Sequence, residues 1–179
     1  MRTITPLLSL CAAAAAVLSA TPAAAERLDI DYRLYAPLNA AMESPTDQTL
    51  LYEQQASRVF DRILIAGTSA TSDWREALEI SVYARPRRLE RLDQWMAAFS
   101  PASESTCPAA VHELTRDAMS ITFALDAQPC ASGPRLSGLY RVVLGRRSVY
   151  LIGAKLKGEM TAEQRTQWLT VLASAKLGN

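Results

Sequence analysis

The sequence predicts an α+β fold, a central antiparallel sheet with helices packed on it. Three observations carry the prediction. Runs with apolar residues at every second position dominate residues 28–85 and return over residues 118–158. Two other segments, 86–100 and 161–179, repeat with a period near 3.6. The resulting order of strands, helix, strands and helix suits an antiparallel sheet rather than the βαβ order of a parallel one.

Residues 1–25, "MRTITPLLSLCAAAAAVLSATPAAA", open with Arg2, continue through an uncharged Leu/Ala core and end in the A-x-A of Ala23 and Ala25. That is the pattern of a secretory signal peptide cut after Ala25, and it predicts a periplasmic protein. Cys11 follows Leu10 where a lipoprotein signal needs a small residue, so it is expected to leave with the leader. Loss of residues 1–25 removes one Arg and no acid, which leaves 18 basic and 18 acidic residues in a chain of 154. A neutral chain of that length predicts one soluble domain, residues 26–179, and gives no reason to expect nucleic acid.

The first expected strand is "RLDIDYRLY", with Leu28, Ile30, Tyr32 and Leu34 on one side and Asp29, Asp31 and Arg33 on the other. Residues 36–49, with Pro37, Asn39, Pro45 and Asp47 and no sustained period, are expected to be a loop holding at most a short helical turn. "LLYEQQ" and "RVFDRILIAG" follow as strands. "TSATSD" is turn chemistry that leads into a strand over 74–85, where Trp74, Leu78, Ile80 and Val82 share one face.

In "PRRLERLDQWMAAFS" the period changes: Leu89, Leu92, Met96 and Phe99 make the stripe of an amphipathic helix, with Pro86 in its first turn and Pro101 past its end. "AMSITFALDA" predicts a strand reached through the approach loop after Cys107. "LYRVVLG" and "RSVYLIGAKLKG", parted by a Gly-Arg-Arg turn, predict a hairpin. The last helix opens with Thr161 as N-cap and Gln164 three positions on, a capping box, and turns Trp168, Leu169 and Leu172 inward.

The chemistry is constrained mostly by what is missing. In an exported protein the two remaining cysteines, Cys107 and Cys130, predict one structural disulfide worth about 3 kcal/mol in the chain-entropy account. Their 22 intervening residues are not the C-x-x-C spacing of a redox pair. Zinc would need about four ligands where only His112 and these two cysteines stand ready. "HELTR" starts like the zinc-protease helix, but Arg116 occupies the second histidine's place. No G-x-S-x-G elbow, P-loop or G-x-G-x-x-G occurs, so no catalytic residue, metal or cofactor is expected. Asp29 and Asp31 share a strand face, which is no cleft for a glycosidase pair.

A basic, aromatic segment stands out instead. Arg85, Arg87, Arg88 and Arg91 precede Trp95, and on a helical wheel Arg87 and Arg91 flank the apolar stripe. Arg146 and Arg147 add a second basic turn. These residues are the candidate surface for an anionic or acidic partner; the competing reading is a solvated helix face balanced by Glu90 and Asp93.

"GTSATSDWREALEISVYA", the strand between the two cysteines, the hairpin "YRVVLGRRSVYLIGAKLKG" and the Thr-capped "TAEQRTQWLTVL" together resemble exported bacterial proteins of the PsbP-like or DcrB-like fold over residues 50–177. That resemblance implies an α/β/α sandwich around the antiparallel sheet and a docking or accessory role, and it supplies no catalytic motif to carry over. The expected function is a non-enzymatic envelope protein that binds a protein partner, as a secretion or envelope factor or as an immunity protein against a toxin. A membrane surface is a less favoured target. The rivals are a small hydrolase of an envelope polymer, which requires a pocket of convergent polar groups, and a carrier of an apolar ligand between sheet and helix.

Overall fold

The computed structural model describes residues 26–45, 50–55, 58–65 and 74–178. The expected leader and the expected turn at 68–73 lie outside the described residues. The first part of the chain forms β1 (Arg27–Asp29), α1 (Ala36–Glu43), β2 (Leu50–Gln55), β3 (Arg58–Ile65) and β4 (Glu76–Ala84). After α2 (Leu92–Ala98) come β5 (Ala109–Arg116), β6 (Ser120–Ala127), β7 (Leu136–Leu144) and β8 (Ser148–Lys157). The chain closes with α3 (Ala162–Ser174) and β9 (Lys176–Gly178).

Two antiparallel meanders, β2-β3-β4 and β5-β6-β7-β8, join where β4 pairs with β8, giving a seven-stranded sheet in the order β2-β3-β4-β8-β7-β6-β5. Helices cover both faces. On one, Tyr35 and Leu38 from α1 and its entry, and Trp168, Val171 and Leu172 from α3, pack on Ile63, Leu78, Leu139 and Ile152. On the other, Leu89 and Leu92 meet Ile121, Phe123, Tyr140, Val142, Val149 and Leu151. The α+β class and the helix-covered antiparallel sheet are therefore as expected.

The capping box forms as read. Thr161 Oγ1 accepts from the Gln164 N–H at 3.1 Å, and Gln164 Oε1 accepts from the Thr161 N–H at 3.0 Å. Trp168 is fully buried and its indole N–H reaches the buried Glu76 carboxylate at 2.5 Å. Burial of such a side chain removes about 150–250 Å² from water, on the order of 4–6 kcal/mol. In the second core the Tyr140 ring stacks on Phe123 at 5.2 Å and lies across the backbone of β7 and β8. Gly153 leaves it room, since a Cβ there would come within 2.6 Å of the ring.

Several expectations change. The first strand is only three residues long and pairs with β9 in a separate two-stranded ribbon. The Asp31 carboxylate accepts the Arg33 N–H at 3.2 Å and caps a 3-10 turn, Tyr32–Leu34, which ends the ladder. Residues 36–43, expected as loop, are α1, with Pro37 in the first turn, where its missing N–H is harmless. The middle helix is seven residues rather than fifteen: a turn from Pro86 O to the Leu89 N–H, 2.9 Å, buries Leu89 without helix, and Gln94 Oε1 accepts the Glu90 N–H at 2.9 Å. Trp74 precedes β4 and packs on the opposite face from Leu78.

The stretch between the cysteines also differs. Its expected approach loop is β5, an edge strand paired with β6 from Ala109↔Ala127 to Arg116↔Ile121. The Cys107–Cys130 disulfide, with Cα atoms 5.7 Å apart, therefore closes the open end of a hairpin. At the closed end the Asp117 carboxylate accepts the Met119 and Ser120 N–H groups, each at 2.7 Å, and the Ser120 hydroxyl at 2.6 Å.

Candidate functional site

The two basic turns meet at one end of the sheet, and Arg85 brings them together. Just past β4, its N–H donates to the Arg147 carbonyl at 2.8 Å and extends the pairing with β8. Its guanidinium then donates to Gly145 O and Leu89 O, each at 2.8 Å. Arg85 is thus half-buried and holds the backbone of both turns, which corrects its expected place on the recognition surface. Its contacts join the turn that carries Arg87 and Arg88 to the turn that carries Arg146 and Arg147, and all four are exposed.

Glu26 completes this end. Its carboxylate accepts the Arg146 N–H at 2.8 Å and the Arg147 N–H at 3.4 Å, and its carbonyl accepts the Tyr150 hydroxyl at 3.0 Å. Any side chain at Gly145 would run into that carboxylate.

Arg91 is exposed but engaged. It flanks no helical stripe; it stands at the N-cap of α2 and reaches Asp93 at 2.6 Å. Asp93 also pairs with Arg116, which holds Glu113 at 2.6 Å. Hydrogen bonds from Arg116 and then Arg91 keep the Asp93 carboxyl below the usual range. Such exposed pairs stabilise by about 0–1 kcal/mol each.

Trp95 is half-buried and forms one wall of a groove. It stacks on Phe99 at 5.2 Å, and Phe99 meets Phe123 edge-on at 5.2 Å, so a line of rings runs from the surface into the core. With Tyr83, Ala98 and Ser100 these two rings line an open groove of about 260 Å³. Tyr83 was not singled out from sequence and Phe99 was read only as part of the apolar stripe; their signal as groove residues was proximity, Tyr83 two residues before Arg85 and Phe99 four after Trp95.

A second concavity holds the polar convergence a hydrolase would need. Arg62, Trp74, Glu79, Glu104 and Lys155 line it. The Lys155 ammonium lies 2.5 Å from Glu79 and 2.7 Å from Glu104, and Arg62 holds Glu79 at 2.6 Å. The Trp74 ring lies 4.7 Å from the Lys157 ammonium. Two cations and two anions thus neutralise one another, and the Glu79 and Glu104 side chains are only 4% and 2% exposed. A general acid or base must reach a substrate proton. These carboxylates are instead turned on Lys155. The Tyr140 hydroxyl faces the cluster without a well-aligned bond, and burial, then the charges of Glu104 and Glu79, push its pKa far up.

Across the sheet, Glu76 accepts from the Tyr35 hydroxyl at 2.8 Å as well as from Trp168. Burial and that bond push the Tyr35 phenol up to about 12. His112 is exposed on β5 opposite Ala124. Among the described residues, no three His, Cys, Asp or Glu side chains are grouped to hold a metal, and no helix is long and apolar enough to cross a membrane.

No protein-family model matches this chain, and no curated protein matches it. The site therefore rests on its own geometry.

Proposed function

We propose that this protein is a non-enzymatic binding protein of the bacterial envelope that recognises an acidic protein partner through the end of the sheet carrying Arg87, Arg88, Arg146 and Arg147. The observation that carries this reading is the Arg85 clamp, which joins turns that bonds such as Arg85 Nη1 to Gly145 O bridge across 60 positions of sequence. Clustered exposed guanidiniums raise the encounter rate with acidic surfaces and offer bidentate bonds to carboxylates. The disulfide supports an oxidising compartment, in line with the expected leader. The mutual neutralisation of Arg62, Glu79, Glu104 and Lys155 weighs against the hydrolase reading. The helix-covered antiparallel sheet also suits the proposed kinship with PsbP-like and DcrB-like proteins, although shared architecture alone assigns no role.

The test measures binding to immobilised poly-glutamate and poly-lysine at two salt concentrations. Arg87→Glu with Arg146→Glu is expected to weaken poly-glutamate binding by about tenfold or more and to flatten its salt dependence. Arg91 is left intact because reversing it would break its bond to Asp93. Unchanged binding by the double variant removes this surface from consideration.

A further inference from the structure

The basic end has an apolar neighbour, and the two are built from one piece of chain. The Tyr83 wall of the aromatic groove lies near the end of β4; the Trp95 and Phe99 wall belongs to α2 and the residue after it. The segment connecting these walls is the basic turn itself, with the clamp residue Arg85, exposed Arg87 and Arg88, and Arg91 at the helix N-cap. The aromatic walls of the groove are therefore joined in sequence by the basic turn, to which the Arg85 clamp adds the turn of Arg146 and Arg147.

We propose that this groove takes one aromatic or branched aliphatic side chain of an acidic peptide segment, whose carboxylates reach the guanidiniums of the basic turn that joins the groove's walls. The inference rests on the proposed function and names the chemistry of its partner. Three features favour a peptide over a lipid. A volume of about 260 Å³ is below the roughly 300–1,000 Å³ of pockets that enclose whole small molecules, so it suits a single anchoring side chain. Trp, Tyr and Arg are the residue types enriched at protein–protein hot spots, and they are what this surface presents. One wall of the groove is also braced: Trp95 rests on Phe99, and Phe99 on the buried Phe123, so little freedom of these side chains is lost when a ligand seats.

The experiment uses two short fluorescent peptides of Asp, Glu and Ser residues that differ only at their centre, Phe in one and Ala in the other. Phosphatidylglycerol vesicles are the third probe. The whole protein is expected to bind the Phe peptide about tenfold more tightly than the Ala peptide. Trp95→Leu should abolish that preference while leaving the salt-dependent affinity for both. Ala98→Gln serves as the second variant: Ala98 is exposed on the groove lining, so the longer side chain fills the groove without entering the core and should have the same effect.

If the two peptides bind equally well and Arg87→Glu with Arg146→Glu weakens both, the groove proposal is overturned while the basic-end reading survives. Binding of neither peptide overturns both. Retention on the vesicles with no peptide binding overturns the groove proposal in favour of a membrane surface. A preference for Phe that persists in both groove variants places the anchor elsewhere and also overturns it.

Discussion

Lys155 is the most exacting test of how the sheet is held together. It sits on β8, its ammonium shared between Glu79 of β4 and Glu104 of the turn before Cys107, with 8% of its side chain exposed. In Lys155→Met the stem volume is kept and the charge is lost. Glu79 retains Arg62, but the ion pair that fixes Glu104 is gone, and the disulfide three residues on restrains that turn from swinging out into solvent. Removal of one partner from a buried ion pair costs about 3–5 kcal/mol, because the other charge stays buried. For a domain of this size each kcal/mol moves the melting temperature by about 2–4 °C, so a fall of about 6–20 °C is expected. The control is Lys155→Met with Glu104→Gln, which removes both charges and should recover most of the loss, since neutral replacement of a whole buried pair is often nearly free. Thermal unfolding followed by near-UV circular dichroism gives all three values. A single variant melting within about 2 °C of the parent, or a double variant no more stable than the single, would refute the assignment of Lys155 as the keystone of this network.

Two further outcomes follow from local geometry. Cys107→Ser with Cys130→Ser opens a loop whose ends are 23 positions apart and should cost about 3 kcal/mol in urea unfolding, with little change in far-UV signal; an unchanged midpoint would count against a hairpin staple. The Asp117 carboxyl is depressed by its bond from Ser120 and then by the Met119 and Ser120 N–H groups, so its stabilising effect is in place above the ordinary value of 3.8 and is lost as pH falls below it. Asp117→Ala should therefore be less stable than the parent at pH 7, with the gap narrowing as pH falls below 3.8, and a gap that widens in acid would contradict this sign.

The strands of the sheet interior and α3 were legible because their signals are local and strong: apolar alternation in β3 and β6 to β8, and a capping box ahead of Trp168. The missed strands are those whose identity depends on a distant partner. β9 is three residues that read as the tail of a helix until β1, from the far end of the chain, lies beside them. β5 is an edge strand with exposed residues on both faces, and it carries an irregularity between Glu113 and Thr115, so its alternation is blurred. The charged parity of β4 was misleading for another reason. Glu79 and Ser81 alternate with Leu78 and Ile80 as solvent-facing residues would, yet helices cover both faces and both polar residues are buried. The basic end was half legible: the arginines could be counted, but nothing local indicates that Arg85 turns inward to bond two carbonyls.

The junction of the two meanders has a kinetic consequence. Each meander is made of hairpins between neighbouring strands, whereas β4 and β8 pair residues as remote in sequence as Glu76 and Leu156. The entropy of closing that long loop must be met before the seam contributes anything, so refolding is expected to be governed by the docking of two partly formed halves. Glu79 and Lys155 become neighbours only in that event. Their attraction is therefore available to speed the docking as well as to hold its product.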